Sequence, residues 1–147
     1  MFKVQKRIIY AIEAVIDIAI NSGVNPVQNI AIARRQGIPK RYLEQTLQTL
    51  VKNGILTGSR GPKGGYRLAK ERRKIKISDI VSSVTKDKKN NEIYNSDLSK
   101  EIIEPIISKI TNKCSLLLEE ISIEEIYKLE KKTKNQDLSK KKVDFVI

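Results

Sequence analysis

The sequence predicts a mainly α-helical protein carrying one small β-wing, and three observations point there. Apolar residues recur at helical spacing in successive segments. All seven glycines fall within residues 1–65, so the tight turns belong to the N-terminal half. An isoleucine-rich heptad pattern occupies a separate C-terminal stretch.

Ile8, Ala11, Val15 and Ile18 share one face, with Ala14 and Ala19 beside them, and predict a first helix stopping near Asn21. Pro26 then breaks the chain. Residues 29–36 (NIAIARRQ) read as a short second helix closed by Gly37, because glycine tolerates the left-handed conformation at a helix C-terminus. A third helix is expected over residues 39–53, with Pro39 in its first turn, where the missing N–H costs nothing. Leu43, Leu47, Leu50 and Val51 form its apolar stripe. Arg41, Gln45, Gln48 and Lys52 project from the opposite face, with Thr49 beside them and Glu44 at the margin. Such side chains hydrogen-bond to base edges and phosphates.

Asn53 and Gly54 end that helix. The segments ILTGS and YRLAK, joined by RGPKGG, predict a two-stranded ribbon. Its tip carries Arg60 and Lys63 among Gly61, Gly64 and Gly65. A fourth helix is expected over residues 77–84, with Ile77, Ile80, Val81 and Val84 on one face. Helix, helix, turn, helix, ribbon is the order of a winged helix-turn-helix, a DNA-binding domain assigned to residues 1–84. Residues 85–96 are polar and read as a loop.

The second half differs in kind. Ile103, Ile107, Ile110, Cys114, Leu117 and Ile121 follow one another at alternating intervals of four and three residues. That is a heptad seam, widened by Ile102, Ile106 and Leu118. A face so apolar must be covered, and a second subunit is the economical cover; packing on the chain's own N-terminal domain is the alternative. Pro105 either opens this helix or kinks it. Ser122 and Glu125 match a capping box and predict a further short helix. Residues 97–132 are thus expected to hold dimerisation helices, and residues 133–147 a basic tail.

Charge divides the chain the same way. The net charge is +12; residues 1–76 hold 16 basic and 4 acidic side chains, whereas 13 of each sign in the remainder cancel. A polyanion partner for the first half follows. Duplex DNA is the expected one. With two Phe and no Trp, the chain lacks the aromatic platforms that stack single-stranded bases. The single cysteine, Cys114, excludes an intramolecular disulfide. Glu13 and Asp17 interrupt the N-terminal apolar run, and no stretch approaches the roughly 20 apolar residues of a membrane span. A cytoplasmic, membrane-free protein is expected. Without histidine or a Gly-rich phosphate loop, no nucleophile–base pair is legible, and no enzyme is expected.

Four segments resemble the Rrf2 family of bacterial transcriptional regulators: the wing SRGPKGGY at residues 59–66, GIPKRYLEQ at 37–45, YAIEAVIDIA from Tyr10, and IKISDIVSSV at 75–84. The resemblance covers residues 1–84 well and 103–130 more loosely. It implies a homodimer that binds pseudo-palindromic operators and usually represses, with the third helix in the major groove. Arg41, Glu44 and Gln45 lie where family members contact bases, and Arg60 where the wing arginine enters the minor groove. The chemistry is compatible. Gln45 can pair bidentately with adenine, Glu44 can accept from cytosine, and Arg41 can donate to guanine or phosphate. The wing guanidinium of Arg60 suits the potential of a narrow minor groove. Lys40, Gln48, Lys52, Gly61, Lys63, Gly64 and Gly65 complete the expected DNA-binding set.

The sequence also departs from the family. Many members hold an iron–sulfur cluster on three cysteines after the fourth helix; here residues 85–100 contain none. No cluster, metal or other cofactor is expected. Cys114 is read as an apolar seam residue, with a redox switch across the dimer as the sharper alternative. Pro39 and Lys76 stand where relatives have Ser or Thr, so two helices lack a side-chain N-cap worth about 1 kcal/mol each. The competing functional reading is a regulator governed by a protein co-regulator, such as a metabolic enzyme, that controls access to DNA.

Overall fold

A computed structural model describes residues 4–85 and 94–144, with side chains as far as residue 138. The order is α1 (Lys6–Asn21), α2 (Asn29–Gln36), α3 (Lys40–Lys52), β1 (Leu56–Ser59), β2 (Gly65–Leu68), a 3₁₀ turn (Arg72–Lys74), α4 (Ile77–Thr85), α5 (Glu104–Glu120) and α6 (Ile123–Asp144). Residues 86–93 of the expected loop, and the apolar terminus 145–147, lie outside the described residues.

Helix α1 is the axis of the fold, because both its composition and its placement leave its apolar face covered on several sides. Ala11, Ala14, Val15 and Ile18 are buried where α2, α3, α4, α6 and β2 converge. The small alanines admit neighbouring helices closely, and the branched residues fill the gaps between them. One residue of this helix runs against its environment. Asp17 is only 1% exposed. It is matched by Arg35 at the end of α2, whose Nε donates to Oδ2 at 2.9 Å and Nη2 to Oδ1 at 2.7 Å. Gln36 Nε2 adds a third donor at 2.8 Å. The fork clamps α2 to α1 and fixes the pitch of the helix pair. Losing one partner of a buried ion pair costs about 3–5 kcal/mol, and somewhat less where the cation is partly wet. That reduction applies here, since the Arg35 side chain is 40% exposed.

Gly37 closes α2 in the left-handed conformation, with φ 65°, as expected. Pro39 is displaced from its expected place: with ψ 127° it stands outside the helix as the N-cap, and its carbonyl accepts from Leu43 N at 3.0 Å. No side chain caps α3 there. At α4 the missing cap is replaced from inside the helix, since Asp79 Oδ2 accepts the Lys76 N–H at 2.9 Å.

The wing pairs Leu56 with Leu68, Thr57 with Arg67, Gly58 with Tyr66 and Ser59 with Gly65. A single bridge from a third segment, invisible in the local pattern, joins its other edge. Val27 N donates to Tyr66 O at 3.0 Å, and Tyr66 N to Val27 O at 2.8 Å. Gly65 is what permits this approach. Its φ is +152°, and a Cβ there would sit 2.5 Å from the Val27 carbonyl oxygen. Gly64 is equally confined, since its Cβ would meet Ser59 O at 2.4 Å. At both glycines it is the protein's own backbone that a side chain would meet. Arg67 braces the ribbon from behind by donating to the carbonyls of Gly23 and Val24.

The C-terminal half departs most from expectation. A π-helical stretch, Ser99–Ile103, runs straight into α5. Pro105 is its physical cause, because a proline ring clashes with the carbonyl four residues back and a widened turn relieves the clash. Helix α5 buries no residue completely; only Leu118 packs partly against the core. Its seam is also shorter than the heptad count, for Ile121 lies beyond the helix end as its C-cap. The chain then returns to the N-terminal body. Ile77 N donates to Ile121 O and Ile123 N to Ile75 O, both at 2.9 Å, forming a bridge between Lys76 and Ser122. The capping box forms as expected, with Ser122 N to Glu125 Oε2 and Glu125 N to Ser122 Oγ both at 3.3 Å. The helix it starts is long rather than short. Helix α6 spans 22 residues to Asp144, through most of the segment read as a tail.

Ile123, 0% exposed, anchors α6 in the core. Arg72 pairs with Glu124 at 2.8 Å and lies 3.7 Å from the Tyr127 ring centroid, with Lys131 on the same ring at 4.5 Å. These two cations hold the Tyr127 hydroxyl below its usual pKa, Lys131 contributing most. No helix among the described residues is long and apolar enough to cross a membrane.

Candidate nucleic-acid interface

Three buried residues on the inner face of α3, Leu43, Leu47 and Leu50, hold that helix against the core. The 100° step then leaves Lys40, Arg41, Glu44, Gln45, Gln48 and Lys52 exposed. The wing rises beside them because Ile55 and Leu56 are buried at its root and Val27 grips its edge. Arg60, Gly61 and Lys63 are exposed at the tip.

Two clefts flank α3, each of about 710 Å³. The first lies between α3 and the wing. Lys40, Glu44, Gln48 and Lys52 line it from the helix, and Arg60, Gly61, Gly64 and Gly65 from the ribbon. Eight of the eleven expected DNA-binding residues therefore share one concavity. Gln45 does not. It opens onto the second cleft, on the other side of the helix, where Gln48 and Lys52 also contribute. Arg41 and Lys63 are exposed but line neither cleft. Gln48 and Lys52, common to both, mark the crest of the helix.

Several lining residues lie outside the expected DNA-binding set. Gln28 and Asn29 wall the first cleft, and Gln28 Nε2 donates to Pro62 O in the wing tip at 3.3 Å. They reach it only because Val27 pairs with Tyr66, a contact across 39 positions of chain. Arg7, Tyr42, Thr49 and Asn53 line the second. Tyr42 is 53% exposed, with its ring edge-on to Tyr10 at 6.1 Å. Tyr66 packs against the core.

The electrostatics separate this face from the rest of the molecule. Among the described residues, the ion pairs join Arg35 to Asp17, Arg72 and Lys128 to Glu124, Arg73 to Glu71, and Lys134 to Glu130. None involves Lys40, Arg41, Lys52, Arg60 or Lys63. The cations of α3 and the wing tip are thus left to the solvent side, while the paired ones brace the body behind them.

A polar-faced helix beside a cation-tipped ribbon, both held by the helical body around α1, defines a winged helix-turn-helix protein of the transcription-regulating class. Comparison with known proteins narrows this. Residues 4–129 match the model of Rrf2, an iron-dependent transcriptional regulator, and the chain belongs to the Rrf2 family. It is 44% identical over 75 residues to the HTH-type transcriptional regulator IscR of Escherichia coli, a match covering 51% of this chain and 46% of that protein. The chain thus spans about half the length of the curated relatives it matches. Among solved structures, IscR of T. potens superposes with a TM-score of 0.70 at 30% identity, covering 86% of this chain and 87% of that one. CymR (YrzC), the global cysteine regulator of B. subtilis, shares the fold, with a TM-score of 0.67 at 23% identity over 88% and 98% of the two chains. These relatives are regulators of transcription, not enzymes.

The iron dependence in the family description does not fit the donors present. Cys114, the single thiol, is exposed on α5, and the sequence has no histidine. Among the described residues no group of three or more His, Cys, Asp or Glu side chains is placed to hold a metal ion.

Proposed function

We propose that the chain acts as a homodimer that binds a pseudo-palindromic duplex operator and represses transcription there. The observation that carries this reading is the joint exposure of the α3 polar face and the wing tip, with every cation on them unpaired among the described residues. Helix α3 enters the major groove, where Gln45 pairs with adenine, Glu44 accepts from cytosine, and Arg41 donates to guanine or to phosphate. Arg60 reaches into the adjacent minor groove. Lys40, Lys52 and Lys63 neutralise phosphates.

The dimer is supported by α5. Ile107 is 43% and Ile110 46% exposed, and Ile103 and Leu117 stand out on the same side. The chain's own described residues leave this seam only partly covered, and a second copy presenting the same stripe matches it by symmetry. Residues 1–84 then form the reading head, and α5 the arm.

Selection from random duplexes is the test. The expected motif is two-fold symmetric, with half-sites about one helical turn apart. If each subunit neutralises about four phosphates, log K against log salt should fall with a slope of about −7. A flat salt response, or no enriched motif, overturns the proposal.

A further inference from the structure

The second cleft, between α1, α3 and α4, is only partly accounted for: Gln45 and Lys52 are assigned above, but Arg7, Tyr42 and Ser83 are not. Arg7 from the first turn of α1, Tyr42, Gln45 and Lys52 from α3, and Ser83 from α4 line it, and no acidic residue does. Arg7 is half-buried, yet among the described residues its guanidinium forms no hydrogen bond or ion pair. Lys52 is equally unpaired. Two cations facing one concavity without a counter-charge repel each other unless an anion joins them.

The dimensions indicate which anion. A helix with its side chains is about 10–12 Å across, and the major groove is about 12 Å wide. A helix lying in that groove is therefore walled by a sugar–phosphate strand on each side. The wing-side cleft, with Lys40 and Arg60, faces one wall. The other cleft lies on the opposite flank of the same crest, marked by Gln48 and Lys52, and so faces the other wall. The first turn of α1 adds the positive end of a helix dipole beside Arg7.

We infer that this cleft is a second phosphate-binding site, with Arg7 as its anchoring cation, gripping the strand across the major groove from the wing. The inference rests on the duplex-binding reading and adds to it a residue outside the helix-turn-helix and wing. Arg7 positions α3 in the groove; it reads no base. Tyr42, at the lip of the same site, completes the clasp by hydrogen bonding.

The test compares the wild type with Arg7→Gln, Arg7→Lys and Arg60→Gln on a random-sequence duplex over a range of salt. One phosphate lost per subunit makes the Arg7→Gln slope shallower by about 2 for the dimer. Arg7→Lys, which keeps the charge, should restore the wild-type slope, so that a folding defect is told apart from a lost contact. Motif selection with Arg7→Gln should return the wild-type motif. An unchanged slope in Arg7→Gln, or an altered motif, overturns the inference while leaving duplex binding intact. Absence of salt-dependent binding in the wild type overturns both.

Discussion

Glu13 projects from the flank of α1 into a half-buried position, where its Oε2 finds no hydrogen-bond partner among the described residues. Burial there raises its pKa above the ordinary carboxylate value. The consequence for stability has a definite sign. Below the ordinary carboxylate range the group is protonated in both folded and unfolded chains and contributes nothing to pH dependence. As pH rises through the window between the ordinary and the raised value, the unfolded chain ionises first and the folded state loses stability. Above that window the penalty is complete. Glu13→Gln should therefore raise the thermal midpoint at neutral pH, and the gain should vanish in acid; equal midpoints at both ends would refute the assignment. Asp17, one turn on, has three donors around it. The two carboxylates look alike in the sequence. What separates them is Arg35, 18 positions away, which no local pattern connects to Asp17. The same holds for Arg7 and Tyr42, whose cleft exists only once α1, α3 and α4 are packed. The exposed face of α3 was legible, because its inner leucines fix which side faces out.

Among the elements, α6 shows where reading by pattern runs out. Its start was legible, because a capping box is local: Ser122 and Glu125 are three residues apart. Its length was not. Beyond Tyr127 the helix is polar nearly all round, and its support comes from pairs such as Glu130 with Lys134 at 2.7 Å rather than from an apolar stripe. Its destination was illegible too. Ile123 does not belong to the heptad pattern, yet it enters the core of the N-terminal body. Truncating it to alanine should cost about 2–5 kcal/mol, as for other fully buried isoleucines. Thermal unfolding of Ile123→Ala followed by circular dichroism should show one transition at a lower midpoint. A first transition confined to a helical fraction, with the main midpoint unmoved, would mean that α6 is a separate unit. The helix-turn-helix and wing were legible for the converse reason, since Gly37, Asn53 and the glycines of the tip punctuate them directly.

For the molecule as a whole, the division of charge and the division of structure do not coincide. The excess of cations ends at Lys76, but the folded body takes in α6 as well, and α5 rests on α4 while leaving its seam exposed. Composition alone could show that two functions are segregated; it could not show that the chain comes home after the arm. The proposed dimer depends on that arm. Placing a carboxylate at the middle of the seam, Ile110→Glu, would bury two like charges against each other at a cost of several kcal/mol. Light scattering should then report a monomer, and circular dichroism an unchanged helix content. A variant that keeps the wild-type mass would show that the seam is not the contact between copies.

The bridge between Lys76 and Ser122 has a mechanical corollary. A partner that grips α5 grips a bracket rooted in the reading head: one side rests on α4, and the other is sewn to the strand-like segment just ahead of α4. Twisting such a bracket turns the head as one piece, with little slack to absorb a mismatch. The angle at which two brackets cross would then dictate how far apart two heads land on a duplex, much as the rivet of a caliper sets its jaws.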